Sequence, residues 1–181
     1  MSKKITKFTD IPQRIRDGDY QVNIPFDYIM PWIERHQKDS EGKLNLDPDF
    51  QRPHVWTKRQ RVAWLEYWFS GGKTGRIIYF NHPGWQRDYT GDFVLVDGKQ
   101  RIESFRLFIA NELKVFGSYY REYTDKPRMA NLDLLFNVNQ LRTRREVLAW
   151  YLQMNFGGTP HKRSELTRVL KLYEKETGRA T

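Results

Sequence analysis

No cysteine occurs in the 181 residues, which excludes disulfides and any cysteine-ligated zinc centre. Histidine is almost as scarce. His36, His54, His82 and His161 include no pair at metal-ligand spacing, and the single Asn81-His82 pair in YFNHPGW does not make a His-Asn-His nuclease site. A structural role is expected for all four, with His54 standing apart because of its neighbours. Long apolar runs are missing too. A stretch such as Phe105 to Ala110 falls far short of the roughly 20 residues that cross a bilayer, and the opening MSKKITKFTD lacks the apolar core of a signal peptide. There are no internal repeats and no low-complexity tracts. These absences predict a soluble protein of the cytoplasm with no membrane partner.

Aromatic residues make up 15% of the chain, which argues for a packed core and against disorder. The length suits one well-buried domain. Net charge is +9, and the basic residues divide almost evenly between the two halves, so no single tail explains the excess. Such a surface favours phosphate-bearing partners: nucleic acid, nucleotides, or both. The plain alternative is a solvated basic surface with no ligand.

Residues 1–19 are polar and basic, broken by Pro12 and Gly18, and are expected to form a loose arm before a single domain over residues 20–181. Tyr20 to Ile24 alternates like a short strand, and Pro25 opens a helix toward His36. LNLDPDFQRPHVW (44–56) holds two prolines and predicts an extended, partly buried loop. Thr57 and Gln60 have the spacing of a capping box. The helix they open carries Val62, Leu65 and Phe69 along one face and ends at Gly71-Gly72. RIIYFN (76–81) predicts a buried strand, residues 82–91 a turn-rich excursion, and Phe93 to Val96 another strand. Ile102, Phe105, Phe108 and Ile109 mark the next helix, to about Leu113. Residues 114–139, with Pro127 among them, give no clear pattern. Leu141 to Met154 predicts a helix with Val147, Leu148, Tyr151 and Leu152 facing inward. Thr159-Pro160 starts a last one with Leu166, Val169, Leu170 and Tyr173 inward. The fold class expected is α+β.

SGGKTG (70–75) imitates a phosphate-cradling P-loop, but Tyr67 occupies the place of its first Gly, and the segment follows a helix instead of a strand. A helix C-cap is the better reading. FVLVDGKQRIESF (93–105) is different. Where a strand ends and a helix begins, unpaired backbone N–H groups and the helix dipole converge on one point, which suits an anion. Gly98 permits a tight turn and close approach of a phosphate. Lys99 and Arg101 add positive charge, and Asp97 offers a carboxylate for Mg²⁺ or a proton. A helix N-cap Asp beside a surface ion pair fits the same pattern. The loop DPDFQRP (47–53) adds weight to the anion reading, since two prolines lower the cost of ordering Gln51 and Arg52 over a ligand. MNFGGTPHKRSEL (154–166) supplies another helix start, with Lys162 and Arg163 in its first turns.

Taken together and in order, LDPDFQRPHVW, RIIYFN, VLVDGKQRIESF and NFGGTPHKRSEL resemble the family typified by the N-terminal domain of GmrSD-type modification-dependent restriction enzymes, within the broader ParB/sulfiredoxin superfamily. The resemblance spans roughly residues 20–175. It implies a small ParB/sulfiredoxin-like mixed-sheet domain with additional C-terminal helices. Asp97, Gly98, Gln100 and Arg101 match the family's Asp-Gly-Gln-Gln-Arg signature, with Lys99 in place of the usual Gln. Gln51 and Arg52 match its first motif, and Asn155, Gly157 and Gly158 its late Asn-x-Gly-Gly element. These residues, Lys99 included, are the expected nucleotide site, with Asp97 and Arg101 catalytic and Asp97 the metal ligand.

The implied activity is cleavage of the terminal phosphate of a nucleoside triphosphate with Mg²⁺, by hydrolysis or transfer to a hydroxyl, with or on DNA. A nucleotide-gated DNA-binding switch is the alternative, and a ParB-like nuclease a weaker one. The second, nuclease domain of such restriction enzymes is not expected here, so DNA cleavage does not carry over. A stand-alone domain of this size would suit a bacteriophage or accessory gene.

Overall fold

A computed structural model describes residues 6–7, 20–39, 42–125, 132–156 and 163–178. The arm expected over residues 1–19 lies outside them apart from Thr6 and Lys7. The elements run β1 (Tyr20–Pro25), α1 (Phe26–Lys38), α2 (Lys58–Phe69), β2 (Ile77–Asn81), β3 (Val94–Asp97), α3 (Lys99–Ile109), a 3₁₀ turn (Tyr120–Glu122), β4 (Asp133–Asn139), α4 (Arg144–Phe156) and α5 (Arg163–Glu176). The fold is α+β, as expected. Its mixed sheet has the order β1-β4-β2-β3. β4 is antiparallel to β1 and parallel to β2, and β3 closes the far edge antiparallel to β2.

Alternation along the strands sends side chains to both faces of the sheet. Ile78, Phe80, Leu134, Phe136 and Val138 enter a core shared with Phe26 and Ile29 of α1, Leu65 and Trp68 of α2, and Phe105 of α3. On the other face Val96, with Tyr79 and Val94 beside it, meets Leu148 and Tyr151 of α4, Val169 of α5 and Phe50 of the preceding loop. Helices therefore cover the sheet on both sides. Among the described residues, no helix is long and apolar enough to cross a membrane.

Several expectations need correction. β4, paired on both edges, falls in the segment that showed no clear pattern. Asn137 and Asn139 interrupt its apolar run, yet both are buried at 3% and 2% exposure. In α2 the fully buried pair is Leu65 and Trp68, with Arg61 beside them. Val62 and Phe69 are only partly covered, because apolar residues surround this helix and its sequence does not single out one face. α3 stops at Ile109, and Asn111 takes a positive φ of 62° just beyond it. In α5 Val169 is buried, whereas Leu170 is 37% exposed. The Thr159-Pro160 start of that helix lies outside the described residues.

The proline loop, expected to be extended, pairs with β3 only at Asn45 and then bends and turns through residues 46–51, where Gln51 N–H donates to Pro48 O at 2.9 Å. Asn45 N–H donates to Phe93 O at 2.8 Å, and Leu95 N–H to Asn45 O at 3.0 Å. Leu44 and Phe50 anchor it in the two cores. This pairing brings Gln51 and Arg52 to the carboxyl end of β3, where the chain turns into α3.

Candidate functional site

Gly98 makes that turn possible. Its φ of 113° suits glycine, and an added Cβ would stand 2.5 Å from Ile78 Cδ1 and 2.9 Å from Cγ2. No side chain caps α3, so its first N–H groups have no intrahelical partner. They open on a cleft of about 570 Å³. Gln51, Arg52, Asp97, Gly98, Lys99, Gln100, Arg101 and Asn155 all line it. Gly157 and Gly158 lie outside the described residues. The structure thus brings eight of the ten expected site residues to one cleft.

Most of them hold the cleft together. Arg101 donates to Gly75 O at 3.0 Å and Ile77 O at 2.6 Å, and pairs with the Asp97 carboxylate. Its side chain is only 13% exposed, so a head group free in solvent is not what the turn presents. Lys99 pairs with Asp47 and donates to Arg52 O at 3.2 Å. Gln51 Nε2 donates to the β3 carbonyls of Leu95 and Val96, at 3.0 and 2.7 Å. The Gln100 amide is engaged at both ends. Its Oε1 accepts from Val55 N and Trp56 N at 3.2 Å each, and its Nε2 donates to Pro53 O at 3.2 Å. Both glutamines thereby fasten the proline loop to the strand–helix turn. Asn155 Nδ2 donates to Tyr151 O at 2.6 Å within α4.

Two groups stay open. Among the described residues Arg52 makes no side-chain hydrogen bond or ion pair. Asp97 keeps 46% of its side chain exposed and one carboxylate oxygen without a bond among them. The cleft thus offers an uncommitted guanidinium, an uncapped helix start and a half-exposed carboxylate within one space.

Other residues have no signal in the sequence pattern. From α5, Arg168 donates to Gln51 O at 2.6 Å, and from α4 Arg144 forms a two-pronged pair with Asp49 at 2.6 and 2.7 Å. The proline loop is therefore pinned by three helices. Arg61, 7% exposed, lies behind Gln100, with weak bonds of 3.4 and 3.5 Å to it. The segment that imitates a P-loop contributes a carbonyl, Gly75 O, to Arg101, while its Thr74 is bonded to Tyr67 Oη. Val55, Trp56 and Trp64 form an apolar wall.

The histidines sit elsewhere. His82 is fully buried, accepts from Gly84 N at Nδ1, and is held below its ordinary pKa by desolvation. His36 bonds Trp32 O. His54 is exposed on the proline loop, its pKa also lowered, chiefly by desolvation, against the opposing charge of Glu103. His161 lies outside the described residues. Among those residues, no group of three or more His, Asp or Glu comes together as a metal site.

Comparison with protein families matches residues 34–153 to the GmrSD restriction endonuclease N-terminal domain. The chain belongs to that family. The GmrSD match begins in α1 and ends within α4, so it contains the proline loop and the whole Asp97–Arg101 turn. Asn155 and α5 fall beyond it, yet α5 supplies the Arg168 clamp. No curated protein and no solved structure matches the chain.

Proposed function

We propose that the cleft binds a nucleoside triphosphate and that the protein cleaves its terminal phosphate, with Mg²⁺, by hydrolysis or by transfer to a hydroxyl. The observation that carries this reading is the Arg52 guanidinium, without a partner among the described residues, at the same cleft as the uncapped start of α3. Both favour a polyanion, and Gly98 lets its oxygens come close to the backbone. Phosphoryl transfer asks a protein mainly for positioning and charge neutralisation. Arg52 supplies charge, while Arg101 and Lys99, already fixed by their protein contacts, supply field and shape.

Mg²⁺ is usually held by one or two carboxylates together with substrate phosphates and waters, and Asp97 alone fits an ion of that kind. Mg²⁺ would supply charge neutralisation on the phosphate oxygens. Alternatively, that carboxylate would act as the base, taking the acceptor's proton as the acceptor oxygen bonds the terminal phosphorus and the bridging P–O bond breaks. DNA is the proposed partner, on the net charge of +9 and on the restriction endonucleases for which the matched family is named. Its binding should weaken steeply with salt. A place in the ParB/sulfiredoxin superfamily, a bacteriophage source and a cytoplasmic setting belong to the same proposal.

One observation favours the nucleotide-gated switch as a second reading. Lys99 is paired with Asp47 of the proline loop, so a triphosphate competing for Lys99 would loosen that loop. Asp97→Asn separates the two. No side chain caps α3, and Asn keeps the size of Asp and an amide oxygen for Arg101 to donate to, so the fold should survive the change. Cleavage predicts that NDP formation, measured with each of the four NTPs with and without DNA, collapses while metal-free nucleotide affinity holds or rises. Full turnover by the Asn variant removes Asp97 from the chemistry. A parent protein that binds NTP and never converts it to NDP is the switch.

A further inference from the structure

The wall of the cleft carries a feature that phosphate chemistry does not explain. Trp56 and Trp64 stand 6.1 Å apart at 53°, and Val55 next to them is 45% exposed. Trp64 is seated edge-on against the buried Phe105 at 5.2 Å. Trp56 has no aromatic contact other than Trp64 among the described residues, and both indoles are only partly covered. Partly covered tryptophans beside a cationic floor are costly for a resting surface and well suited to a flat apolar ligand. Gln100 joins the two halves of the cleft. The residue is the second of α3, beside the phosphate turn, and its Oε1 holds the N–H groups of Val55 and Trp56, which fixes the wall relative to the turn.

Resting on the nucleotide reading above, we propose that Val55, Trp56 and Trp64 form a stacking subsite for the nucleobase. The base lies on the Trp56 indole while its phosphates reach Arg52 and the start of α3. Specificity follows from what the wall lacks. It offers two indoles and an aliphatic side chain, the Gln100 amide is already engaged at both ends, and Gln60, which also lines the cleft, has its Oε1 held by Thr57. Every base has a π-face, so the subsite accepts all four, purines somewhat better for their larger rings.

Equilibrium dialysis of the full chain against ATP, GTP, CTP, UTP and inorganic tripolyphosphate tests this, with the parent, Trp56→Ala and Trp56→Phe. Trp56→Ala should lose roughly 10- to 100-fold in affinity for every NTP and bind tripolyphosphate as the parent does. Trp56→Phe, which keeps an aromatic face, should recover most of the loss. Unchanged NTP affinity in Trp56→Ala overturns the subsite and leaves the phosphate reading standing. Equal losses for tripolyphosphate and NTPs, with Trp56→Phe no better, also overturn it, since the residue would then only shape the loop. A parent that binds neither nucleotide nor tripolyphosphate refutes the nucleotide reading and the subsite with it.

Discussion

Gly98→Ala is expected to lower stability by about 2–6 kcal/mol, and to abolish nucleotide binding in whatever remains folded. Two independent costs add. A non-glycine residue held at φ 113° is strained by roughly 1–3 kcal/mol. The new methyl also overlaps Ile78, whose Cδ1 and Cγ2 would be 2.5 and 2.9 Å away, and overpacking of this kind costs about 1–3 kcal/mol. Ile78 is fully buried in the main core and has little room to withdraw. Urea denaturation measures the sum as a shift in midpoint at constant slope. Adding Ile78→Val removes the Cδ1 overlap and should return part of the loss, appearing as coupling in a double-mutant cycle. The backbone part should remain. A parental midpoint for Gly98→Ala would mean that the turn does not have the tight geometry described.

Arg101→Ala is expected to damage the fold and the site together. The substitution deletes bonds to Gly75 O and Ile77 O and leaves the Asp97 carboxylate without its cation. Hydrogen bonds to a charged group are worth about 1.5–3 kcal/mol, so a loss of roughly 2–4 kcal/mol is expected, moderated by the exposure of Asp97. Nucleotide affinity should fall by about 10-fold or more, since the positive field at the phosphate turn disappears and Asp97 then repels the phosphates. Arg101→Lys keeps the charge, but its single compact nitrogen does not span a carboxylate and two carbonyls that Arg101 reaches with two separate nitrogens. That variant should regain affinity better than stability. Parental stability and parental affinity in Arg101→Ala would reduce the segment to a chain reversal.

The strand–glycine–helix turn at residues 94–101 was legible because its signals are local: an apolar run, one Gly, then helical spacing. Convergence with Gln51, Arg52 and Asn155 was legible through the family pattern. The direction of each side chain was not. A Gln amide reads the same whether it meets a phosphate or a carbonyl, and Gln51 and Gln100 meet carbonyls and N–H groups about 45 residues distant in sequence. Nothing local marks Arg101 as enclosed, yet the Gly75 and Ile77 carbonyls at the entry to β2 join Asp97 of its own turn around it. β4 failed for a related reason. Its register is set by β1, more than a hundred residues earlier, and by β2, while Asn137 and Asn139 break the local alternation. In α2, apolar residues on all sides left the choice of buried face to tertiary packing.

The central claim, that the cleft holds a nucleotide by its phosphates, is tested most directly at Arg52. This side chain supports nothing else among the described residues, so Arg52→Ala should leave the denaturation midpoint unchanged. Equilibrium dialysis with each of the four NTPs and Mg²⁺, on the parent and on Arg52→Ala, is the measurement. The account predicts that the parent binds NTP and that the variant binds it about 10-fold or more weakly, for loss of a charge-assisted phosphate contact. No NTP binding by the parent, or equal binding by the two proteins, would contradict it.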